Sequence, residues 1–247
     1  MFSEWDNRSL VYNKKSKQEE METAIISTVR LIAEDYSIVL LISDALHLHY
    51  KAYINRGLVY LELGDVQNAL HDFIRAQAIQ PNDLYVLYVV GVCHHKLKNL
   101  KEAIRVFTRC LDHDPKFILA KVSRGNVFMD YNSSNSRDLA AKDYNSVLEI
   151  DSYHLDALVN LGFCRQAQGK FKKAWDIFTM AIEKHPNSER PLDGRAIVCM
   201  QMSDLNGALK DLNEAIRIQP QSSMLYINRG VVYQLMRDKI MAMKDYK

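Results

Sequence analysis

Small, bulky and apolar residues recur along this chain at helical spacings, and the recurrence itself has a longer period. Glycine stands at Gly57, Gly91, Gly125, Gly162 and Gly230, and Ala196 takes the equivalent place between the last two. Twelve residues after each comes an alanine: Ala69, Ala103, Ala174, Ala208 and Ala242, with Ala140 joining once a three-residue insertion is counted. Four residues further on is a bulky group, Phe73, Phe107, Tyr144, Phe178, Leu212 or Tyr246. Three beyond that is a small or modest one, Ala76, Cys110, Val147, Ala181 or Ala215. Steps of three and four residues place side chains on one face of a helix. Each recurrence therefore predicts two helices. The first offers glycine or alanine at a close approach, and the bulky residue of the second fills the gap.

The longer period is 34 residues: Pro81 and Pro115 are that far apart, and so are Pro186 and Pro220. Counted from Tyr50, it divides the chain into repeats 50–83, 84–117, 118–154, 155–188, 189–222 and a truncated 223–247. Proline near the end of a repeat forbids continuation of the second helix and is expected to open the next one, where its missing N–H is harmless. Gly64 and Gly169, both at the fifteenth place, suit the turn between the two helices. Seven of nine glycines and four of five prolines are thus repeat punctuation, which leaves almost none for catalytic loops. Each repeat predicts two helices of roughly 12–14 residues, about 20 Å long. Departures are local: Ser152 stands for the third proline, Leu212 for an aromatic, and residues 131–137 (YNSSNSR) predict a lengthened interhelix loop.

A 34-residue period with these residue types over 50–247 resembles the tetratricopeptide repeat (TPR) family. The resemblance implies an all-α, right-handed α-solenoid of stacked helix-turn-helix repeats. Its first helices would line a concave groove that binds segments of other proteins. Groove-facing places in such a stack hold Asn55, Leu58, Tyr88, Val92, Asn126, Val159, Asn160, Phe163, Ile197 and Asn228, joined by Ile54, Val122, Met129, Met200, Ile227 and Val231. They form an apolar trough dotted with asparagines, whose amides donate and accept at once and suit a peptide backbone. A chaperone-tail clamp of this family is incomplete here: Asn126, Asn160 and Arg190 fit it, but Val122 and Gly194 stand where two cations belong. The asparagine ladder of the O-linked N-acetylglucosamine transferase array is likewise broken: Asn55, Asn160 and Asn228 occupy the ladder place, but Val89, Ser123 and Gly194 interrupt it.

Comparing the repeats with one another exposes a covariation. Arg56, Arg124, Arg195 and Arg229 precede the repeat glycine or alanine, and Asp72, Asp143, Asp211 and Asp245 precede the bulky residue in those same repeats. The other two repeats carry Val90 with Val106 and Leu161 with Ile177. Arginine goes with aspartate and apolar with apolar, which predicts contact across the two helices of a repeat.

Composition narrows the reading without changing it. The 247 residues carry 32 Lys+Arg against 30 Asp+Glu, and 48% are hydrophobic. A net charge of +2 gives no concentrated basic excess for a nucleic acid. The most hydrophobic stretch, 37–42, is far shorter than the roughly 18 apolar residues of a membrane span. Four cysteines without CxxC spacing argue for reduced thiols and a cytoplasmic protein, with nuclear or ciliary placement left open. His94 and His95 point about 100° apart on a helix and cannot converge on one metal ion with Cys93. No phosphate loop, dinucleotide fingerprint or nucleophile elbow is present. The expectation is a scaffold without catalysis, cofactor or metal, the alternative being the substrate-recognition arm of a larger enzyme. Residues 1–20 read as a mobile polar tail, and 21–49 as a helical degenerate repeat or N-terminal cap. The last repeat stops within its second helix, so the chain reads as a fragment or short form of a longer array, its uncapped end open to self-association.

Overall fold

The computed structural model describes residues 26–247; the tail read over 1–20 and the start of the segment 21–49 lie outside them. Among the described residues every regular element is a helix. The first, α1, covers 26–42. It is followed by α2 (Leu46–Glu62), α3 (Val66–Ile79), α4 (Leu84–Lys96), α5 (Leu100–His113), α6 (Ile118–Tyr131) and α7 (Ser134–Leu148). Then come α8 (Leu155–Ala167), α9 (Phe171–Lys184), α10 (Glu189–Gln201), α11 (Leu205–Ile218), α12 (Ser223–Leu235) and α13 (Lys239–Asp245).

The chain folds as two compact bodies, residues 26–106 and Phe107–Lys247. In the first, α2 packs on α3 and α3 on α4; in the second, each helix from α6 to α13 packs on the next. Within this second body α6 also reaches α8, α8 reaches α10 and α10 reaches α12. First helices therefore touch along one side, while α7, α9 and α11 make no comparable contact with one another. This is an all-α helical repeat solenoid.

Local chemistry sets the helix ends. The carboxylates of Asp65, Asp204 and Asp238 accept from the N–H groups of Asn68, Gly207 and Met241, at 3.2, 2.9 and 3.1 Å, and so cap α3, α11 and α13. The preceding turn demands a left-handed residue at the fifteenth place of all six repeats. Gly64 (φ 76°) and Gly169 (φ 72°) meet that demand freely, whereas Lys98, Asn132, Ser203 and Arg237 adopt φ of 60°, 51°, 64° and 64° against their Cβ atoms. Replacing Ser203 with glycine is expected to raise stability by about 0.5–1 kcal/mol in urea denaturation, because relief of the left-handed strain exceeds the added freedom of the unfolded chain.

Two sequence expectations need correction. Pro81, Pro115, Pro186 and Pro220 end the second helices but do not open the next ones. Each lies in a turn, two residues ahead of the N-cap residue Asp83, Phe117, Ser188 or Ser222. Only Pro191 enters a helix, as the third residue of α10, in the first turn where no N–H needs a helical acceptor. The run 131–137 is not a lengthened loop either. Asn132 and Ser133 alone separate α6 from α7, and Ser133 and Ser136 form a reciprocal capping box, so the insertion is absorbed into a 15-residue α7.

The core follows the small–bulky pattern. Phe73, Tyr144 and Phe178 are fully buried, each against the glycine of its own first helix. A Cβ at Gly57, Gly125 or Gly162 would lie 2.8, 2.6 or 2.6 Å from the ring of Phe73, Tyr144 or Phe178. Gly194, which no repeat place required, closes on Phe178 from the following repeat, where a Cβ would stand 2.4 Å from the same ring. Phe178 is thus held between glycines of two successive first helices.

Candidate functional site

The four arginines that precede the repeat glycine or alanine each make a forked ion pair. Nε and Nη2 donate to the two carboxylate oxygens at 2.7 and 2.7 Å for Arg56–Asp72, and at 2.8 and 2.7 Å for Arg124–Asp143. The distances are 2.8 and 2.7 Å for Arg195–Asp211, and 2.8 and 2.6 Å for Arg229–Asp245. Two parallel charge-assisted bonds fix the angle between the helices of a repeat. The carboxylate bond holds the guanidinium pKa of Arg56, Arg195 and Arg229 above its ordinary value, against the opposing effect of burial.

The third guanidinium nitrogen does something that residue comparison missed. Nη1 crosses to the preceding second helix, where Arg124 donates to Thr108 (3.1 Å), Arg195 to Thr179 (3.0 Å) and Arg229 to Asn213 (2.9 Å). Arg56 reaches Ser37 on α1 in the same manner, at 2.9 Å. Aromatic rings face the cations at about 5.4–6.0 Å: Tyr53 and Tyr60, Phe128, Trp175, and Tyr226 with Tyr233. The signal was legible, since a polar residue sits one place after the bulky position in Thr108, Asn145, Thr179 and Asn213.

The groove residues fall on the first helices. In the first body, Asn55 and Leu58 (α2) and Tyr88 and Val92 (α4) are half-buried, with Leu58 and Tyr88 packed on the core around Phe73. In the second, Asn126 (α6), Asn160 and Phe163 (α8), Ile197 (α10) and Asn228 (α12) are half-buried, while Ile227 and Val231 are exposed. Val159 differs. It is fully buried with Ala174, Phe178 and Val198, so it is a core residue with no face for a ligand.

The asparagines of the second body are linked to their neighbours. Asn126 Oδ1 accepts from the buried Tyr144 hydroxyl at 2.7 Å and from Asn160 Nδ2 at 2.9 Å. A buried phenol needs such a partner, and Asn126 supplies it to Tyr144, whereas the exposed Tyr246 has Val231 at that place and donates to Gln234 instead. Asn228 Nδ2 donates to Asp193 Oδ1 at 2.7 Å. Each amide keeps unused hydrogen-bonding capacity on its other atom. Asp193 was missed by sequence reasoning, although its place is apolar in every other repeat (Ile54, Tyr88, Val122, Val159, Ile227). Burial pushes its carboxyl pKa up, and the Asn228 amide partly opposes the shift. Beside it, Arg190 is ion-paired with Asp156.

All four cysteines are buried and reduced. Burial pushes the Cys93 thiol up to about 12 and Cys110 to about 11, and raises Cys164 and Cys199 as well. Fewer than about one thiol per chain is therefore expected to react with Ellman's reagent at pH 8 in the native state, and all four in guanidinium, because the thiolate is the reacting species.

Stacked helical hairpins, small residues at the close approaches and amide-bearing first helices define a helical-repeat protein. Residues 50–83, 84–117 and 156–188 each match the tetratricopeptide repeat, and the chain belongs to that family. It is 36% identical over 241 residues to human tetratricopeptide repeat protein 6, a match covering 98% of this chain and 44% of that protein. The chain therefore spans less than half of that relative. Among solved structures it is similar to a tetratricopeptide repeat protein from Parabacteroides merdae (TM-score 0.66, 22% identity, 80% of this chain and 77% of that one). It is also similar to YrrB, described as a TPR protein with an unusual peptide-binding site (TM-score 0.55, 19% identity, 75% of this chain and 91% of that one). At these identities the two structures bear on the fold alone.

Proposed function

We propose that this chain is a non-catalytic interaction scaffold that binds peptide segments of partner proteins along its first helices. The observation that carries the reading is the surface of α8, α10 and α12. There Phe163, Ile197, Ile227 and Val231 offer apolar contact beside the amides of Asn160 and Asn228 and the carboxyl of Asp193. Such a mixture suits an extended or helical segment held by apolar anchors and backbone hydrogen bonds. It also favours a segment with a basic residue, because Asp193 has Glu189 on its own helix, and Arg190 is already occupied by Asp156. That occupied arginine argues against the chaperone-tail alternative, which needs free cations.

The test is panning of a displayed random dodecapeptide library on the full chain, followed by titration of recovered peptides against Ile197→Glu/Ile227→Glu. Affinity is expected to fall at least about tenfold, since each 1.4 kcal/mol is a factor of ten, while the melting temperature stays near that of the wild type. Recovered peptides that bind the double variant unchanged would place the contact elsewhere.

A further inference from the structure

The fourth repeat (155–188) is built differently on its outer side. Elsewhere in the second body, a guanidinium fills the space between successive second helices and bonds to both, as Arg124, Arg195 and Arg229 do. Here the arginine is Leu161, its aspartate is Ile177, and Asn145, at the place of Thr108, Thr179 and Asn213, has no side-chain partner among the described residues. Between α7 and α9, where that guanidinium would lie, there is an open cleft of about 600 Å³. Its floor is apolar: Leu158 and Leu161 from α8 are buried, and Leu148 of α7 and Ile177 and Met180 of α9 flank them.

The mouth of the cleft is cationic. Arg165 occupies the place at which three of the four Arg repeats carry Tyr60, Phe128 or Tyr233 and the other carries Cys199, and it donates to an amide oxygen, Gln168 Oε1, at 2.9 Å. Lys173 has no carboxylate within ion-pairing distance among the described residues, and the lining carboxylate, Asp176, is taken by Lys172 at 3.0 Å. Two cations unmatched by carboxylates therefore stand over an apolar floor. A neutral apolar ligand would leave them unused, and a basic one would be repelled.

We propose that the cleft between α7 and α9 is a second docking site for an acidic–apolar segment of a partner protein. One bulky apolar side chain would rest on Leu158, Leu161 and Ile177, and neighbouring carboxylates would meet Arg165 and Lys173. The site opens between the second helices α7 and α9 and shares no residue with the first-helix surface proposed above, so it stands or falls independently of peptide binding there. Its volume falls in the usual range of ligand clefts, and one anchored side chain with flanking charge is an ordinary recognition mode.

Two variants of the full chain test it. Leu161→Arg with Ile177→Asp rebuilds the ion pair of the sibling repeats and fills the cleft, and Lys173→Glu reverses an exposed charge without touching the core. Displayed random dodecapeptides panned on the wild type are expected to yield a group that pairs Asp or Glu with Leu, Ile or Phe. That group should bind L161R/I177D and K173E at least about tenfold more weakly, and I197E/I227E unchanged. If L161R/I177D has a circular dichroism spectrum unlike the wild type, K173E alone decides. Recovery of no acidic–apolar group, or of one indifferent to K173E, would overturn the proposal.

Discussion

Replacing Asp211 with alanine is expected to destabilise the protein by about 3 kcal/mol in urea denaturation, near the lower end for breaking a buried pair. Arg195 would lose both carboxylate bonds while its guanidinium stays tied to Thr179 and lodged over Trp175, with only 18% of its side chain exposed. The charge would remain largely desolvated with no countercharge. Replacing both partners, Arg195→Leu with Asp211→Ile, is expected to leave stability within about 1 kcal/mol of the wild type, because no buried charge survives and the half-buried Thr179 hydroxyl that loses its donor can turn to water. The protein already contains that arrangement in Leu161 and Ile177. Strictly additive single and double variants would show that the pair contributes nothing as a pair.

A second large effect is expected at the ring held between two glycines. Gly162→Ala puts a methyl group 2.6 Å from Cε1 and Cζ of Phe178, and the ring cannot retreat because Gly194 closes its other side. Overpacking of this kind should cost about 2–3 kcal/mol. Adding Phe178→Leu to that variant is expected to recover at least about half of the loss, despite the methylene volume it removes. The fifth repeat shows the compensated pair in Ala196 and Leu212, both fully buried. A double variant no more stable than Gly162→Ala alone would mean that the ring is not what the new methyl meets.

Helices, their pairing and the Arg–Asp partners were legible because each rests on residue types that recur at fixed places. What escaped the reading depended on context that a single place does not carry. Gly194 looked like an unassigned glycine because its partner, Phe178, belongs to the previous repeat. The left-handed turn was visible in Gly64 and Gly169 but hidden in Lys98, Ser203 and Arg237, which tolerate the conformation at an energetic cost rather than advertise it. Val159 has the periodicity of a groove residue, yet it is buried in the cluster of Ala174, Phe178 and Val198, which takes it into the core. Asp193 carried a signal of the opposite kind, one charge at an otherwise apolar place, and its bond to Asn228 shows why that charge is held. The run of Ser and Asn after Tyr131 read as a loop because those residues favour turns, although at a helix start the same hydroxyls become caps.

The guanidinium that joins two neighbouring second helices also has a mechanical meaning. Arg124, Arg195 and Arg229 act as cross-bolts, each tying one repeat to the last through bonds that resist sliding in a defined direction. Between α7 and α9 the bolt is missing, and Leu161 and Ile177 offer only contacts without direction. Under bending or tension along the second body, compliance is expected to concentrate at that joint, so this body has one hinge among otherwise braced repeats.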